Sequence, residues 1–422
     1  MSIINYDKNE KRIELNILGI KIRISLSIEK FVFKIVNKSF FRFIDKITPK
    51  SKKKIVFYLF PKFENNIMTY YNYLKENHSD KYKFYFITPE KSICDKKTFF
   101  IKSFKALYYM YTSKFVITTH DSQFLDYFGS KRHVYINLWH GMPIKTLGYC
   151  EESLSDMLAP RYKFLGENSY MFATSDIFKQ FFISCFHIDY KKVFITGTPR
   201  TDAIWSVKND DKIKELYELD NYSKVVFYLP TWKSSSFARK QQVSKDFNNI
   251  FYMDDYDKDS FINMLEQNNI LFLMKPHPVE EKFYMENPDV VPQSDNFKII
   301  FDNDLRENGI DLYETFKFVD LMISDYSSVT LDYLILNKPV IYLNSLAEDY
   351  SKTRGMILED NYEITMPGIK VVTYKDLERE LIENLETDKY KQEREKSLPL
   401  VHKYCDNKSA ERVYEKMMQV AE

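Results

Sequence analysis

Residues 319–336, VDLMISDYSSVTLDYLIL, contain the transition that decides the fold. The apolar run at 321–323 predicts a buried strand, and the residues from Ser328 onward predict a helix. Ser327 and Ser328 therefore follow the carboxyl end of a strand and start a helix, where the backbone N–H groups of the first turn favour an anion. The alternative interpretation is an ordinary helix cap, because serine is favoured at that position in any helix.

The same alternation of strand and helix extends over most of the chain. Predicted strands lie at 55–60, 83–88, 115–118, 134–138, 171–174, 193–196, 225–229, 271–274, 298–301, 321–323, 340–343 and 370–373. Predicted helices lie at 67–77, 175–185, 259–267, 309–316, 328–336 and 374–386. This alternation predicts an α/β fold of two doubly wound, Rossmann-like domains with parallel sheets, facing each other across a cleft.

The domain boundaries follow from the same pattern. We expect an N-terminal hairpin or strand and a basic amphipathic helix in residues 1–54, and a first Rossmann-like domain in residues 55–206. A polar stretch begins the second domain, which we place at residues 207–396. Residues 397–422 predict a C-terminal helix that packs back across the junction between the two domains.

The composition excludes several classes of protein. A net charge of +1 over 422 residues argues against a bulk nucleic-acid binder, whose affinity comes mainly from neutralising phosphates. The four cysteines lack zinc-ligand or disulfide spacing, which favours a reducing, cytoplasmic setting; they are Cys94, Cys150, Cys185 and Cys405. We see no signal peptide, and no apolar stretch approaches the length of a membrane-spanning helix.

The charge is unevenly distributed towards the N-terminus. Between residues 28 and 54, basic side chains recur at every fourth position among aromatic and aliphatic residues, up to Pro49. Such a helix can lie in the interface of an anionic bilayer, with Lys34, Lys38 and Arg42 as candidate membrane contacts. The alternative is a helix packed on the protein with its lysines in water.

Two histidines follow predicted strands and are candidates for catalysis. His140 lies in NLWHGMPIK at 137–145, where a near-neutral imidazole can accept a proton and Gly141 allows close approach of a ligand. His277 lies between two prolines in KPHP at 275–278, which fixes its backbone and suits a preorganised donor to phosphate oxygens. The alternatives are a hydrogen-bonded loop histidine at 140 and a rigid turn with an exposed ring at 277.

Two further segments after strands add donors for phosphate. Thr231 and Lys233 lie in LPTWK at 229–233. Arg200 lies in GTPRTD at 197–202, where it could clamp an anion or simply pair with Asp202. The chain has no GxxxxGK[ST] loop and no GxGxxG after a strand, which disfavours a P-loop kinase and a dinucleotide dehydrogenase. No metal-binding motif is apparent.

In combination, these segments resemble the CDP-glycerol glycerophosphotransferase family, which includes teichoic acid polymerases and primases. The matching segments are LWHGMPIKTLG at 138–148, TGTPRTDAIW at 196–205, YLPTWKSSSF at 228–237, KPHP at 275–278, ISDYSSVTLDYLILNKPVIY at 323–342, and Asp349-Tyr350 to Arg354-Gly355. The resemblance covers residues 55–390. Met142 stands where the family usually has threonine, and Lys233 where arginine is common.

The resemblance implies a GT-B fold with an acceptor domain at 55–206 and a donor domain at 207–396. It implies that His140 is the general base, and that His277, Ser327 and Ser328 bind the donor pyrophosphate. Other residues that it places beside the donor are Thr231, Lys233, Arg200, Arg354 and Asp325, of which Asp325 orients its loop. Residues that it places on the acceptor side are Gly141, Lys145, Asn65 and Asn66.

The resemblance also implies the reaction and its partners. Glycerol phosphate passes from CDP-glycerol to a hydroxyl of a glycan or poly(glycerol phosphate) acceptor, lipid-linked acceptors among them, and CMP is released. Beyond the donor substrate no cofactor is implied, and a divalent metal requirement is open. The family lies on the inner face of the bacterial membrane, where it builds teichoic acid, capsule or lipopolysaccharide. The alternatives are a CDP-ribitol transferase, a GT-B glycosyltransferase using a nucleotide sugar, and a non-catalytic polymer-binding module.

Overall fold

The computed structural model describes residues 4–7, 12–17, 20–25, 38–60, 64–120, 123–151, 154, 156, 158–231, 249–325, 327–343, 355 and 358–422. A small antiparallel sheet of order β1-β2-β3 lies in the N-terminal residues. Its strands are β1 (Ile4–Asp7), β2 (Arg12–Ile17) and β3 (Ile20–Ser25). In the β2–β3 pair Ile17 lies opposite Ile20. The sequence pattern did not predict β1.

A parallel sheet of seven strands follows, with the order β10-β9-β8-β7-β4-β5-β6. Its strands are β4 (Ser51–Tyr58), β5 (Lys83–Thr88), β6 (Thr98–Phe100), β7 (Ser113–Thr118), β8 (Val134–Asn137), β9 (Ser169–Ala173) and β10 (Val193–Ile195). Four consecutive residues of β4, from Ile55 to Tyr58, are buried, as expected of a parallel strand covered on both faces.

A second parallel sheet has six strands in the order β13-β12-β11-β14-β15-β16. Its strands are β11 (Lys224–Leu229), β12 (Ile270–Met274), β13 (Phe297–Ile299), β14 (Leu321–Ser324), β15 (Val340–Leu343) and β16 (Ile369–Val371). The chain builds outward from β11 to β13 and then returns to add β14 on the other side of β11. In open α/β sheets this reversal of strand order is where ligands bind, outside the carboxyl ends of the strands.

Helices connect the strands of both parallel sheets. They are α1 (Lys38–Ile47), α2 (Asn65–His78), α3 (Phe104–Thr112), α4 (Ala159–Asn168), α5 (Asp176–Phe186), α6 (Pro199–Asp202), α7 (Asp210–Tyr217), α8 (Lys258–Gln267), α9 (Glu281–Glu286), α10 (Asp302–Asn308), α11 (Leu312–Thr315), α12 (Val329–Tyr333), α13 (Tyr374–Thr387), α14 (Lys391–Val401) and α15 (Ser409–Gln419). Several of these helices begin with a side-chain cap. The side chain of Ser103 accepts the N–H of Ala106 at 3.1 Å, and the side chain of Asp257 accepts the N–H of Ser260 at 2.6 Å.

Helix α1 is fixed by a buried ionic cluster around Asp45. The Asp45 carboxylate accepts from Lys50 Nζ at 2.5 Å and from the N–H groups of Gly129 and Ser130 at 2.8 Å each. The ring of His133 lies between Asp45 Oδ1, at 2.7 Å from Nε2, and the Ser113 carbonyl, at 2.8 Å from Nδ1. Every acceptor position of this carboxylate is therefore used to hold the helix in place.

The opposite face of α1 leaves apolar side chains in solvent. Phe40, Phe43 and Ile47 are 54%, 56% and 58% exposed, and their spacing places them on one side of the helix. Lys38 Nζ pairs with Asp126 at 2.5 Å, and Arg42 Nε donates to the Asp126 carbonyl at 2.8 Å. Lys34 and the rest of the predicted helix before residue 38 lie outside the described residues.

The chain divides into two compact units. The first comprises Met1–Leu138, Asp156–Tyr170 and Met417–Glu422, and the second comprises Trp139–Ser155 and Met171–Lys416. The sequence-based domain boundary at 206/207 stays a prediction. In the described part of the chain, no helix has both the length and the apolar character that crossing a bilayer requires.

The α/β class and the parallel sheets predicted from the sequence are confirmed. The helix predicted at 309–316 is wrong in its start. Gly309, with φ of 66°, ends α10 in the left-handed conformation, and α11 begins only at Leu312. The helix predicted at 328–336 is an α-helix only over Val329–Tyr333, after which a 3₁₀ turn continues it.

Candidate active site

Three loops meet the carboxyl edge of the six-stranded sheet where its strand order reverses. They follow β12, β11 and β14, and β11 is paired with each of the other two. Carboxyl ends of neighbouring parallel strands share one edge, so these loops lie side by side. The predicted site residues that they carry are His277, Thr231, Asp325, Ser327 and Ser328.

The carboxylate of Asp325 ties two of these loops together. It is buried, and it accepts the N–H of Thr231 at 3.0 Å and the hydroxyl of Thr231 at 2.7 Å. Both hydrogen-bond donors of Thr231 therefore point at Asp325. This contact orients the start of the segment that contains Lys233, which itself lies outside the described residues.

The ring of His277 has a defined hydrogen-bonding direction. The backbone N–H of Val279 donates to His277 Nδ1 at 3.3 Å, so Nδ1 carries no proton and the ring proton lies on Nε2. Burial lowers the pKa of His277, and the nearby charge of Lys275 lowers it further, while Asp302 and Asp325 oppose this. The lowered pKa of His277 favours the neutral imidazole at neutral pH.

Lys275 is held by two carboxylates. Its Nζ lies 3.2 Å from Glu281 Oε1 and 2.6 Å from Asp302 Oδ1, and its side chain is buried. The same Glu281 oxygen accepts the N–H of Asp302 at 2.8 Å. This cluster fixes the KPHP loop against α9 and α10 and neutralises the lysine charge.

Ser328 is the N-cap residue of α12, and both serines are half-buried. The Ser327 hydroxyl oxygen accepts from the N–H of Val329 at 3.4 Å, and the Ser327 carbonyl accepts from the Thr330 hydroxyl at 2.9 Å. The two hydroxyls thus sit at the first turn of the helix, as the sequence predicts.

The backbone around His140 is bent by two residues with positive φ. Trp139 has φ of 53°, which is unusual for a bulky residue, and Gly141 has φ of 130°. The buried Trp139 ring packs against Phe186 at 4.9 Å between centroids, which holds the strained residue in place. The half-buried ring of His140 lies over that of Trp139, with centroids 4.6 Å apart.

Gly141 brings the His140 segment directly against Ser328. A Cβ placed on Gly141 would lie 2.7 Å from the Ser328 hydroxyl oxygen and would also overlap Arg200. Only a residue without a side chain fits in this position. Two motifs that are far apart in the sequence are therefore in contact.

Arg200 links the His140 segment to the helix that begins after Ser328. Its Nη1 donates to the His140 carbonyl at 2.7 Å, and its Nη2 forms a buried ion pair with Asp332 on α12. The alternative pairing with Asp202 does not occur, since the Asp202 carboxylate accepts the N–H groups of Ser409 and Ala410 at 3.0 and 2.8 Å.

A third motif lies beside the same loop. The N–H of Thr146 donates to the carbonyl of Gly355 at 3.2 Å, and Gly355 has φ of 68°. The segment around Gly355 therefore touches the loop that follows His140. Arg354 lies outside the described residues.

The segments gathered in this way are those that carry the family resemblance. The sequence model for CDP-glycerol:poly(glycerophosphate) glycerophosphotransferases matches residues 40–419. The chain belongs to this family. The resemblance noted in the sequence is thereby confirmed over almost the entire chain.

Three named relatives are between 26% and 29% identical to the chain over the aligned residues. The ribitol-phosphate polymerase TarL of Staphylococcus aureus is 28% identical over 288 residues, which are 66% of this chain and 46% of TarL. A poly(glycerol phosphate) polymerase of Staphylococcus epidermidis is 26% identical over 71% of this chain and 40% of its own length. The chain thus matches less than half the length of these two relatives. A poly(glycerol phosphate) polymerase of Bacillus spizizenii is 29% identical over 318 residues, which are 71% of this chain and 74% of that protein.

The solved structure of the wall teichoic acid polymerase TagF resembles the fold of this family member. The TM-score is 0.72 at 20% identity, covering 93% of this chain and 96% of that chain. This likeness confirms the GT-B-like α/β class that the sequence predicts.

The predicted acceptor residues occupy two places. Gly141 and Lys145 belong to the His140 loop. Asn65 and Asn66 begin α2, whose first turn is capped by Glu64, which accepts the N–H of Ile67 at 3.2 Å. In the described residues no group of three or more His, Cys, Asp or Glu side chains is placed to hold a metal ion.

Asp332 and Tyr313 were not predicted from the sequence as site residues. The Tyr313 hydroxyl donates to Asp332 Oδ2 at 2.8 Å, beside the ion pair with Arg200. One signal was available, because Asp332 is a carboxylate inside the apolar run VTLDYLIL, where a charge needs a buried partner. No signal in the sequence pointed to Tyr313.

Proposed function

We propose that this chain transfers glycerol phosphate from CDP-glycerol to an acceptor hydroxyl and releases CMP. The observation that carries the proposal is the contact of the His140 segment with Ser328 through Gly141. It puts a candidate base next to the candidate pyrophosphate site. Membership of the glycerophosphotransferase family supports the same reaction.

In the proposed step, His140 takes the proton of the acceptor hydroxyl. The hydroxyl oxygen forms a bond to the phosphorus of the glycerol phosphate, and the bond from that phosphorus to the oxygen of CMP breaks. A general base of this kind contributes about 10²–10⁴ in rate. Phosphoryl transfer otherwise needs positioning and charge stabilisation, so little covalent chemistry is asked of the protein.

The donor pyrophosphate is bound in this proposal by the Nε2–H of His277 and by the hydroxyls of Ser327 and Ser328. The contact at Nδ1 supports this, because an Nδ1 that accepts the N–H of Val279 leaves the ring proton on Nε2. Lys233 and Arg354 add charge in the proposal, and Thr231 and Asp325 shape the loop that carries Lys233. In this proposal residues 207–396 form the donor domain.

The acceptor is a glycan or a poly(glycerol phosphate) chain, lipid-linked forms included. Gly141, Lys145, Asn65 and Asn66 are its proposed contacts, within an acceptor domain at 55–206. Membrane placement at the inner face fits such an acceptor. The exposed Phe40, Phe43 and Ile47 of α1 support it, because apolar side chains flanked by basic residues suit a bilayer interface.

A second donor deserves a test of its own. The relatives include ribitol-phosphate polymerases such as TarL, so CDP-ribitol is the alternative donor. CDP-glycerol and CDP-ribitol differ in the length of the alditol but share the diphosphate and the CMP leaving group. The features described above therefore serve both donors equally.

The experiment is a donor screen. Purified full-length chain is incubated with a poly(glycerol phosphate) primer and with CDP-glycerol, CDP-ribitol or UDP-sugars, and nucleotide release is measured. We expect CMP from CDP-glycerol in an acceptor-dependent manner. Release from CDP-ribitol alone would favour the ribitol reaction, and release of UDP would assign a glycosyltransferase. No release from any donor, with retained binding of the primer, would favour a non-catalytic module.

A further inference from the structure

The ion pair between Arg200 and Asp332 lies at a junction of four segments. Arg200 belongs to α6, Asp332 to α12 and Tyr313 to α11, and the fourth segment is the backbone of His140. Arg200 is 6% exposed and Asp332 is fully buried. Two charges in such surroundings persist because they satisfy each other.

The guanidinium of Arg200 is used on three sides. One terminal nitrogen donates to the His140 carbonyl at 2.7 Å, and the other pairs with Asp332. Its carbon lies 5.3 Å from the centre of the Tyr313 ring, while the hydroxyl of that ring donates to Asp332 at 2.8 Å. The planar fork of arginine can bridge two acceptors in this way, and the ammonium of lysine cannot reproduce it.

Asp332 lies one helical turn after Ser328, so the ion pair acts on the helix that starts with the serine pair. Arg200 thereby connects the backbone of the candidate base to the helix of the candidate pyrophosphate site. Gly141 completes the contact, because a side chain there would overlap both Arg200 and Ser328.

We propose that Arg200 and Asp332 are positioning residues that hold the His140 segment in register with Ser328. This inference rests on the proposed function and adds to it, since it assigns Arg200 away from the donor phosphate. A phosphate clamp would need terminal nitrogens directed at the ligand. Here one is directed at a carbonyl and the other at a carboxylate that already balances its charge.

Two variants separate positioning from folding. Arg200→Lys keeps the positive charge beside Asp332 but loses the fork. Arg200→Met combined with Asp332→Asn removes both charges, leaves no charge unpaired and keeps an acceptor for Tyr313. Replacing both members of a buried pair is often tolerated, whereas removing one member is strongly destabilising.

The control is a second arginine–aspartate pair, in which the arginine is buried and the aspartate is 30% exposed. Arg394 donates to Asp388 at 2.6 and 2.7 Å and to the Asn337 carbonyl at 3.2 Å, and its side chain is fully buried. Arg394→Met combined with Asp388→Asn therefore repeats the same chemical change without touching the His140 segment.

Turnover, CDP-glycerol affinity by calorimetry and thermal unfolding are measured for all variants. We expect both Arg200 variants to lose at least about tenfold in turnover, because small displacements of reacting groups are costly. Donor affinity should stay within about threefold of the unmodified chain, and the Arg394 control should keep its turnover. A donor affinity that falls together with turnover would overturn the proposal in favour of a phosphate clamp.

Hydrogen exchange of residues 139–147 supplies a readout that does not need the reaction. We expect faster exchange there in the Arg200 variants than in the Arg394 control. Exchange and turnover equal to the control would show a general packing role and overturn the proposal. If the unmodified chain released no nucleotide from any donor, the proposed function would fail, and the exchange data would still decide whether the pair holds this segment.

Discussion

The backbone on both sides of His140 is held in conformations that few residues adopt freely. Trp139 sits in the left-handed region because its ring is locked among aromatic side chains, and Gly141 occupies a conformation open mainly to glycine. The backbone position of His140 is therefore constrained from both sides. Preorganisation of this kind is what a general base needs.

We expect His140→Ala to lower turnover by at least about 10² while the affinity for the donor stays nearly unchanged. In the proposed mechanism the ring of His140 accepts the proton of the acceptor hydroxyl and makes no contact with the donor. Steady-state CMP release and calorimetric titration with CDP-glycerol measure the two effects. His78→Ala, on α2, is the control. Near-normal turnover of the His140 variant would remove this residue from the role of base.

Gly141→Ala tests the contact between the His140 segment and Ser328. The added methyl would lie 2.7 Å from the serine hydroxyl, at a residue with φ of 130°. We expect a loss of turnover of about tenfold or more, because the two segments must move apart.

The matched control is Gly309→Ala, at a residue that also has positive φ, 66°, but has open space around its Cβ position. It should cost about 1–2 kcal/mol in the free energy of unfolding and leave turnover unchanged. Equal turnover of the two variants would show that the Gly141 contact is not needed for the reaction.

The sequence was informative about single residues and silent about their partners. His140, His277 and the two serines follow predicted strands, and the edge of a parallel sheet gathers such residues. The partner of Arg200 is 132 positions away in the chain, and local patterns carry no information over that distance. Asp202 was the near candidate, and the backbone N–H groups that begin α15 bind it instead.

Among the elements, buried strands were the easiest to predict. The stretches at 83–88 and 340–343 match β5 and β15 residue for residue, since continuous apolar runs mark strands covered on both faces. β6 has only three residues and lies at a sheet edge, too short for a pattern. Gly309 misled the prediction because glycine ends helices more often than it starts them.

Helix α1 depends on Asp45. Burial raises the pKa of Asp45, but the hydrogen bonds and charges of His133 and Lys50 outweigh burial, so the pKa lies below its ordinary value of 3.8. We expect Asp45→Asn to lower the free energy of unfolding by about 3–5 kcal/mol, because Lys50 loses its buried partner. Urea unfolding measures this.

The pH dependence of that difference has a defined sign. A carboxylate with a lowered native pKa stabilises the fold at pH values above its unfolded pKa and loses this contribution as pH falls through the native pKa. The advantage of the unmodified chain over Asp45→Asn should thus be full above pH 3.8 and shrink below it. Asp126→Asn, at a surface pair, should cost at most about 1 kcal/mol. Equal losses from the two variants would contradict the anchoring role.

Membrane binding through α1 and the basic residues before it can be tested separately. Charge reversal at Lys34, Lys38 and Arg42 should abolish sedimentation with anionic liposomes, since each basic residue near such a surface contributes about 1 kcal/mol. Serine at Phe40, Phe43 and Ile47 should weaken it as well.

Met285→Ser on α9, where the side chain is 49% exposed, is the control for loss of a surface apolar group. It should leave sedimentation unchanged. If both α1 variants also sediment as the unmodified chain does, α1 is simply a helix packed on the protein.

The C-terminal helix α15 has a buried apolar side. Ala410, Val413, Met417 and Ala421 are buried at helical spacing, and the N-terminus of α15 is bound by Asp202. Burial of a valine or methionine side chain contributes about 1.5–3 kcal/mol to the free energy of unfolding. A folded domain is stable by only about 5–15 kcal/mol.

Deletion of residues 409–422 should therefore abolish cooperative thermal unfolding, as followed by circular dichroism. Substitution of the exposed Glu411 and Glu415 by alanine is the control and should change the free energy of unfolding by less than about 0.5 kcal/mol. A cooperative transition in the truncated chain, near the unmodified midpoint, would contradict a core role for α15.

The neutralised Lys275 has a consequence for the departure of the nucleotide. The charge of Lys275 is balanced by Glu281 and Asp302. If the KPHP loop binds the donor as proposed, it therefore provides hydrogen bonds to the product nucleotide without a strong counter-ion. Such a loop would bind the diphosphate of the donor during the reaction and bind the monophosphate product weakly. Product inhibition would then be mild, and the pocket would clear for the next round.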